Sequence, residues 1–377
     1  MMSRLLCGIT SLTIIGLLLI PLTVRGEGQS FVRTTSSQIA IQNLNYLIRR
    51  GELQVSAAPG DSAVVAAYLE VLLLRVRFLN TFSDFDRALQ VTQELARRSP
   101  NDPRALLHLA RVMLTLHRFP AALALLGKAH AKALALPVDQ QSRFQRELDL
   151  QYVTIKLARA ETDQALSMLE KLRIGSNGAK SAADLSVFFA AAYKSQGLLE
   201  AADAELLKSL ELWDRITPFY IAWVSFQRGE VWVGVDDARA LRRYEEALHY
   251  LPEYVSASIH LAELKMQAGD TGAALALLKP IAKGQDPEPA GRLAEFLEAA
   301  GQGKVSAPYR EMALHGWQAL LDRYPLAFAD HAAEFWLGAG KNPELALEWA
   351  AENYKNRPTP SAKALLLEAT LATVDFK

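Results

Sequence analysis

Catalysis and ligand binding need polar side chains that can converge, so the histidines are weighed first. The chain of 377 residues has seven, at His108, His117, His130, His249, His260, His315 and His331. None opens an H-E-x-x-H run and none stands near a cysteine, so the spacing of a zinc site is not met along the sequence. His108 and His260 sit beside Leu109 and Leu261 in apolar stretches, where an imidazole reads as filler on an amphipathic face. The runs "GQG" at 301–303 and "GDTGAAL" from Gly269 follow no strand pattern and precede no Gly-Lys-Ser/Thr, so neither makes a phosphate cradle. No G-x-S-x-G elbow occurs. The charge pairs Arg97-Arg98, Arg242-Arg243 and Glu245-Glu246 fit solvated helix faces. We therefore expect a protein that is not an enzyme, with no catalytic residue, metal ligand or cofactor.

One stretch is unusual in composition. "ITPFYIAWVSFQRGEVWVGVDD", residues 216–237, holds Phe219, Tyr220, Trp223, Phe226 and Trp232 in a chain that is 8% aromatic. Two readings stand. The rings fill a helical core, or Phe219, Trp223 and Trp232 form a patch that recognises a peptide or small molecule. Val231, Val233 and Val235 alternate around Trp232, which favours an extended excursion there.

The elements that would position these residues follow a repeat. "FDRALQVTQELARRSP" begins at Phe85 and "FPAALALLGKAHAKAL" at Phe119, an offset of 34 that places Ala88 on Ala122 and Leu89 on Leu123. Ala240 and Ala274 are again 34 apart. Small residues allow two antiparallel helices to approach closely. In Ala240-x3-Tyr244 the ring lies one turn along the same face. Proline stands twelve residues after the alanine at Pro100, Pro252, Pro325 and Pro358, where it ends one helix or opens the next. Turns are marked by Gly197, Gly269-Asp270 and Gly340-Lys341-Asn342.

With the first-helix runs Leu109-Ala110-x2-Met113, Phe189-Ala190-x2-Tyr193 and Leu261-Ala262-x2-Lys265, this ruler resembles the tetratricopeptide repeat over residues 61–360. It departs from the family in lacking the leading tryptophan, in replacing the first-helix glycine by alanine, and in drifting in spacing. The resemblance implies an all-α, right-handed superhelical solenoid of antiparallel helix pairs. Eight pairs are indexed by Ala88, Ala122, Ala165, Ala202, Ala240, Ala274, Ala313 and Ala346. A last helix follows Pro360. A separate helix, "SSQIAIQNLNYLIRRGE", ends at Gly51 and either caps the array or lines its concave face. Each pair leaves an apolar face for its neighbour to cover, so the expected object is an elongated, curved stack.

By the same resemblance, first helices line a concave groove that holds a peptide or a helix of another protein. Inward positions would then be Arg77, Asn80, Arg111, Lys194, Trp223, Glu263 and Gln267, with Phe219 and Trp232 added from the aromatic stretch. Their mixed charges make no clamp for a C-terminal carboxylate.

The chain's ends and charge bound the setting. Arg4, an apolar run from Leu5 to Val24 and the small residues of Val24-Arg25-Gly26 read as an export leader over 1–26, followed by a lead over 27–60 and the array over 61–377. The apolar run is also long enough for an uncleaved anchor, although Pro21 and the small-residue site favour cleavage. Cys7, the one cysteine, stands at the start of that run rather than its end, which argues against lipid modification. Lys plus Arg equals Asp plus Glu at 41, and removal of Arg4 and Arg25 makes the mature chain slightly acidic. A basic field for nucleic acid or for a membrane surface is lacking. The expectation is a noncatalytic scaffold, periplasmic or secreted if cleaved and otherwise anchored to the inner membrane, that holds another protein. A ligand-sensing module at 216–237 is the alternative.

Overall fold

The computed structural model describes residues 33–174, 179–213 and 216–375, so the expected leader at 1–26 lies outside the described residues. Every regular element among them is helical. No helix among them is long and apolar enough to cross a membrane.

After α1 (Ser37–Ala57) come four pairs: α2 (Ser62–Leu79) with α3 (Asp84–Arg98), α4 (Pro103–Thr115) with α5 (Phe119–Ala131), α6 (Val138–Ala158) with α7 (Thr162–Ile174), and α8 (Ala179–Ser195) with α9 (Leu199–Glu211). Four more follow: α10 (Pro218–Trp232) with α11 (Asp237–Tyr250), α12 (Val255–Gln267) with α13 (Thr271–Leu278), α14 (Glu288–Ala299) with α15 (Gly303–Arg323), and α16 (Pro325–Leu337) with α17 (Pro343–Asn356). The last helix is α18 (Pro360–Asp375).

The helices start and stop where local chemistry directs. Asp61, Asp102, Asp236, Asp270 and Asn342 accept backbone N–H groups that the first turn leaves unpaired. Prolines occupy the first turns of α4, α10, α16 and α17, where a missing N–H costs nothing. Each turn inside a pair contains one residue with positive φ: Asn80, His117, Ala160, Gly197, Gly234, Gly269, Gly301 and Lys341, in chain order. Four of these are glycine. For His117 and Ala160 the left-handed backbone costs roughly 1–2 kcal/mol, which packing of the flanking helices must offset.

Each of the eight index alanines lies in the second helix of its pair and is 0% exposed. In the seventh pair a Cβ placed on Gly291 of α14 would lie 3.6 Å from the Ala313 methyl of α15, and in the fifth pair a ring fills the crossing. Gly229 of α10 lies so near Tyr244 of α11 that an added Cβ would stand 2.3 Å from the ring. The small residue of one helix and the ring of the other are thus complementary parts of a single crossing. Gly51 works in the same way. It falls inside α1 rather than at its end, and a Cβ there would meet Tyr68 at 2.5 Å. The residues "EVWVGV" form no extended excursion. Instead α10 continues through Trp232, and Gly234 makes the turn.

Neighbouring pairs pack in sequence order, and the array also closes on itself. Phe78 meets Phe219 at 5.1 Å and Tyr254 at 4.8 Å between ring centroids. Phe82 meets Phe328 at 4.7 Å, and Phe85 meets Tyr324 at 5.5 Å. The turn after α2 bonds the segment before α14 through Asn80 Nδ2 to Asp286 Oδ2 at 2.6 Å. The turn after α4 bonds the last pair, with His117 Nδ1 at 3.0 Å from the Leu326 carbonyl and Asn356 Nδ2 donating to the His117 carbonyl. Ahead of α1, Thr35 N donates to the Ile216 carbonyl at 2.7 Å. As a result the buried apolar residues of α1–α3 belong to one core with those of α10–α18, while α5–α7 keep smaller cores of their own. The elongated stack expected from the repeat is therefore a closed one. Successive pairs turn far enough for the first to reach the sixth and the eighth.

Gly229→Ala should lower stability by about 1–3 kcal/mol through overpacking against Tyr244. Gly127, exposed within α5 with nothing near its missing Cβ, is the control. Gly127→Ala should raise stability by roughly 0.5–1 kcal/mol. Urea unfolding of both variants checks the pair.

Candidate functional site

Closure determines what happens to the residues expected in the groove. Arg77 lies over the Trp223 ring at 5.3 Å, so two expected groove positions contact each other. Asn80 is bonded to Asp286, and Arg111 donates to Glu70 at 2.5 Å. Lys194 stands 3.7 Å from Glu230. Phe219, Trp223 and Trp232 are 7%, 6% and 5% exposed, so the aromatic stretch is packed interior rather than an open patch. The physical reason is the neighbours: α2 supplies Phe78 to Phe219, Tyr220 stacks on Trp213 at 3.7 Å, and Arg239 caps the Trp232 ring at 3.5 Å. Gln267 alone of the nine expected contact residues is classed as exposed. Along α10 and α12 the chain's own α1 and α2 lie where a partner was expected.

A second feature recurs along the first helices. Four successive first helices carry a glutamate directly after a small residue: Gly229-Glu230, Ala262-Glu263, Ala294-Glu295 and Ala333-Glu334. Three positions before each glutamate stand Gln227, His260, Arg292 and His331. The i, i+3 spacing puts each polar pair on one helix face, and stacking of the pairs sets these faces side by side.

The row is half-buried and dominated by acids. Arg292 stands among four carboxylates, with Nε 2.8 Å from Glu263, one terminal nitrogen 2.6 Å from Glu334 and 3.7 Å from Glu288, and the other 3.6 Å from Glu295. His260 Nδ1 lies 3.0 Å from Glu263, and His331 Nδ1 lies 3.2 Å from Glu288. At the far end Tyr244 donates its hydroxyl to Glu230 at 2.6 Å. Burial opposes a charge on His260, yet Glu230 and the hydrogen bond to Glu263 outweigh it and push its pKa up to about 9. His331 is likewise raised against burial, by Glu288 and Asp330. Burial lifts Glu334 to about 7 despite Arg292. Glu288 is held down at about 2 against its burial, chiefly by His331. His260 is thus an ion-pair partner and not the filler expected of it. His108 does behave as filler, buried and pushed down to about 3 chiefly by desolvation.

Between α14, α15 and α16 the row opens into a cleft lined by Glu288, Arg292, Glu295, Trp317, His331 and Phe335. Glu288 and His331 of this lining and the neighbouring Glu334 each offer a ligand atom, and these atoms lie within 4.8 Å of one another. Linear spacing could not show this set, since two ligands share one helix and the third comes from the preceding pair. The visible signal was the recurring H-x-A-E and R-x-A-E pattern at 260–263, 292–295 and 331–334.

Comparison with known proteins bears on the repeat. A family model described as tetratricopeptide repeat matches residues 82–134 and 238–293, which supports the repeat family read from the residues. No curated protein matches the chain. Among solved structures, the human IFIT1 dimer with PPP-AAAA is 14% identical, covers 73% of this chain and 68% of its own, and superposes with a TM-score of 0.44. The APC/C hetero-tetramer Cut9–Hcn1 is 14% identical, with 89% of this chain and 60% of that one covered, at a TM-score of 0.46.

Trp232→Ala should cost about 3–5 kcal/mol, seen as a large drop in melting temperature, because it empties a packed site. Acid should destabilise the fold through His108 and His117, both held near 3 primarily by burial. Their unfolded forms titrate near 6.5, so between about 6.5 and 3 the unfolded chain binds protons that the folded chain refuses. Their contribution is full above that window and is lost as pH falls through it. Over pH 7.5 to 4.5 the urea midpoint of His108→Gln should therefore fall less, or rise more, than that of the parent chain.

Proposed function

We propose that the chain is an exported, noncatalytic tetratricopeptide scaffold of the cell envelope whose partner protein docks on the helices that end the array. The repeat match supports an interaction role, and the leader read at 1–26 supports export.

One observation carries the choice of surface. Terminal units of a solenoid ordinarily present a polar outer face, because no further repeat covers them. Here α18 buries Ala362, Leu365 and Ala369 against the array and leaves Leu367, Leu371 and Val374 at 60%, 56% and 67% exposure. Their i, i+4, i+7 spacing aligns them in one stripe. At the other end α1 exposes Ile39, Tyr46 and Leu53, spaced by seven, while Leu44 and Ile48 face inward. Two terminal helices with apolar outer stripes suit partners that supply apolar side chains of their own.

The groove reading is thereby revised. Along α10 and α12, Phe219 and Trp223 are engaged by Phe78 and Arg77 of α2, Trp232 by Arg239 and Glu263 by Arg292, so the partner-facing surface moves to the ends. The rings of 216–237 are likewise satisfied within the chain, which leaves the ligand-sensing alternative without an observation in its favour.

Purification of the tagged chain from its native cells should yield a stoichiometric partner, with the mature chain beginning at Glu27. Leu367→Asp with Leu371→Asp should release that partner while changing stability by no more than about 0.5 kcal/mol per site. Retention of the partner by the double variant, or an intact leader on the purified chain, would reject the corresponding half of the proposal.

A further inference from the structure

We infer that Glu288, His331 and Glu334 form a binding site for a divalent transition-metal ion of the zinc class, set in the cleft between α14 and α16. This goes beyond the scaffold role and does not rest on it. The three ligand atoms lie within 4.8 Å of one another. Ligands about 2.1 Å from a tetrahedral ion stand roughly 3.4 Å apart, so side-chain shifts on the order of 1 Å complete the set. His331 and Glu334 share one face of α16 at i, i+3, an arrangement by which helix bundles build metal sites, and Glu288 faces them from the start of α14. One imidazole and two carboxylates suit zinc, whereas calcium and magnesium favour shells made of oxygen alone. The side chains of Glu288, His331 and Glu334 are 14%, 22% and 21% exposed, which is enclosed yet reachable from solvent.

Two separate observations point to an ion. The first is charge. Glu263, Glu288, Glu295 and Glu334 stand around Arg292, with His260 on Glu263 and His331 on Glu288, so four carboxylates face three basic groups, and only two once His331 is a neutral metal ligand. A half-enclosed excess of carboxylates is costly until a cation balances it. Arg292 holds Glu334 at 2.6 Å but also Glu263 at 2.8 Å, so it keeps a strong partner when Glu334 turns to the metal. The second is an unmet donor. Trp317 is 1% exposed, lines the same cleft and lies nearly parallel to the His331 ring, at 8°. Its indole Nε1–H is buried without an acceptor. Three protein ligands leave a fourth position for water, and such a water would bring an acceptor into the cleft that the Trp317 ring lines.

The test uses the full chain purified in mild detergent, stripped with EDTA and titrated calorimetrically with zinc chloride. The expected result is one ion per chain, a rise in melting temperature, and an absorption spectrum of tetrahedral type when cobalt(II) replaces zinc. His331→Ala and Glu334→Gln should each weaken binding by at least about 100-fold. His315→Ala, which removes an imidazole that is 71% exposed on α15, should leave it unchanged. Glu334→Gln and Glu288→Gln keep the side-chain shape, so they decide the matter should His331→Ala fold poorly. Absence of zinc binding, binding that both glutamine variants leave intact, or equal binding of magnesium would overturn the inference.

Discussion

The structure depends on how closely two helices can approach. At each index alanine the second helix comes within reach of the first because nothing larger than a methyl group intervenes, and all eight of these methyls are fully buried. The adjacent ring takes up the remaining space, as Tyr244 does against Gly229. Crossing distance sets the angle within a pair, and the angle repeated eight times sets the curvature of the whole. A shift at one crossing is therefore transmitted to the arc that all of them build.

That curvature brings the head of the chain to its tail. Repeat arrays are usually quasi-one-dimensional, each unit touching only its neighbours. Here Phe78, Phe82 and Phe85 pack against rings of later pairs, and Asn80, Asp86 and His117 bond partners some two hundred residues away. One result is that a groove on the family pattern becomes a lined interior along α10 and α12. Another is that acids on successive first helices are gathered into a row with limited solvent. There Arg292 and two histidines moderate the repulsion; burial still raises the pKa of Glu334, while His331 lowers that of Glu288.

What was legible in the residues was local. Alanine spacing, prolines at helix exits and glycines at 197 and 269 report contacts or dihedrals decided within a few positions, and each held. Glycine proved ambiguous, since Gly51 and Gly229 serve close packing inside helices and not turns. Positive φ at His117 and Ala160 was invisible because neither residue advertises it. Trp232 sits in a valine-rich run that looks like a strand, and tertiary packing made it helix. Arg77 on Trp223 joins distant units and Glu288 beside His331 joins adjoining ones, so no linear spacing encodes either. For the acidic row, the recurring dyads were present to be read, but only stacking shows that they converge.

A solenoid whose first unit rests on its sixth and eighth differs from an open array in how it can evolve. An open array grows or shrinks by duplicating or deleting one unit, and the others hardly register the change. In this chain an inserted pair between α5 and α10 would rotate Asn80 away from Asp286 and His117 away from Leu326 together. The number of repeats is thus locked by geometry, and variation is confined to side chains and to the loops outside the seam.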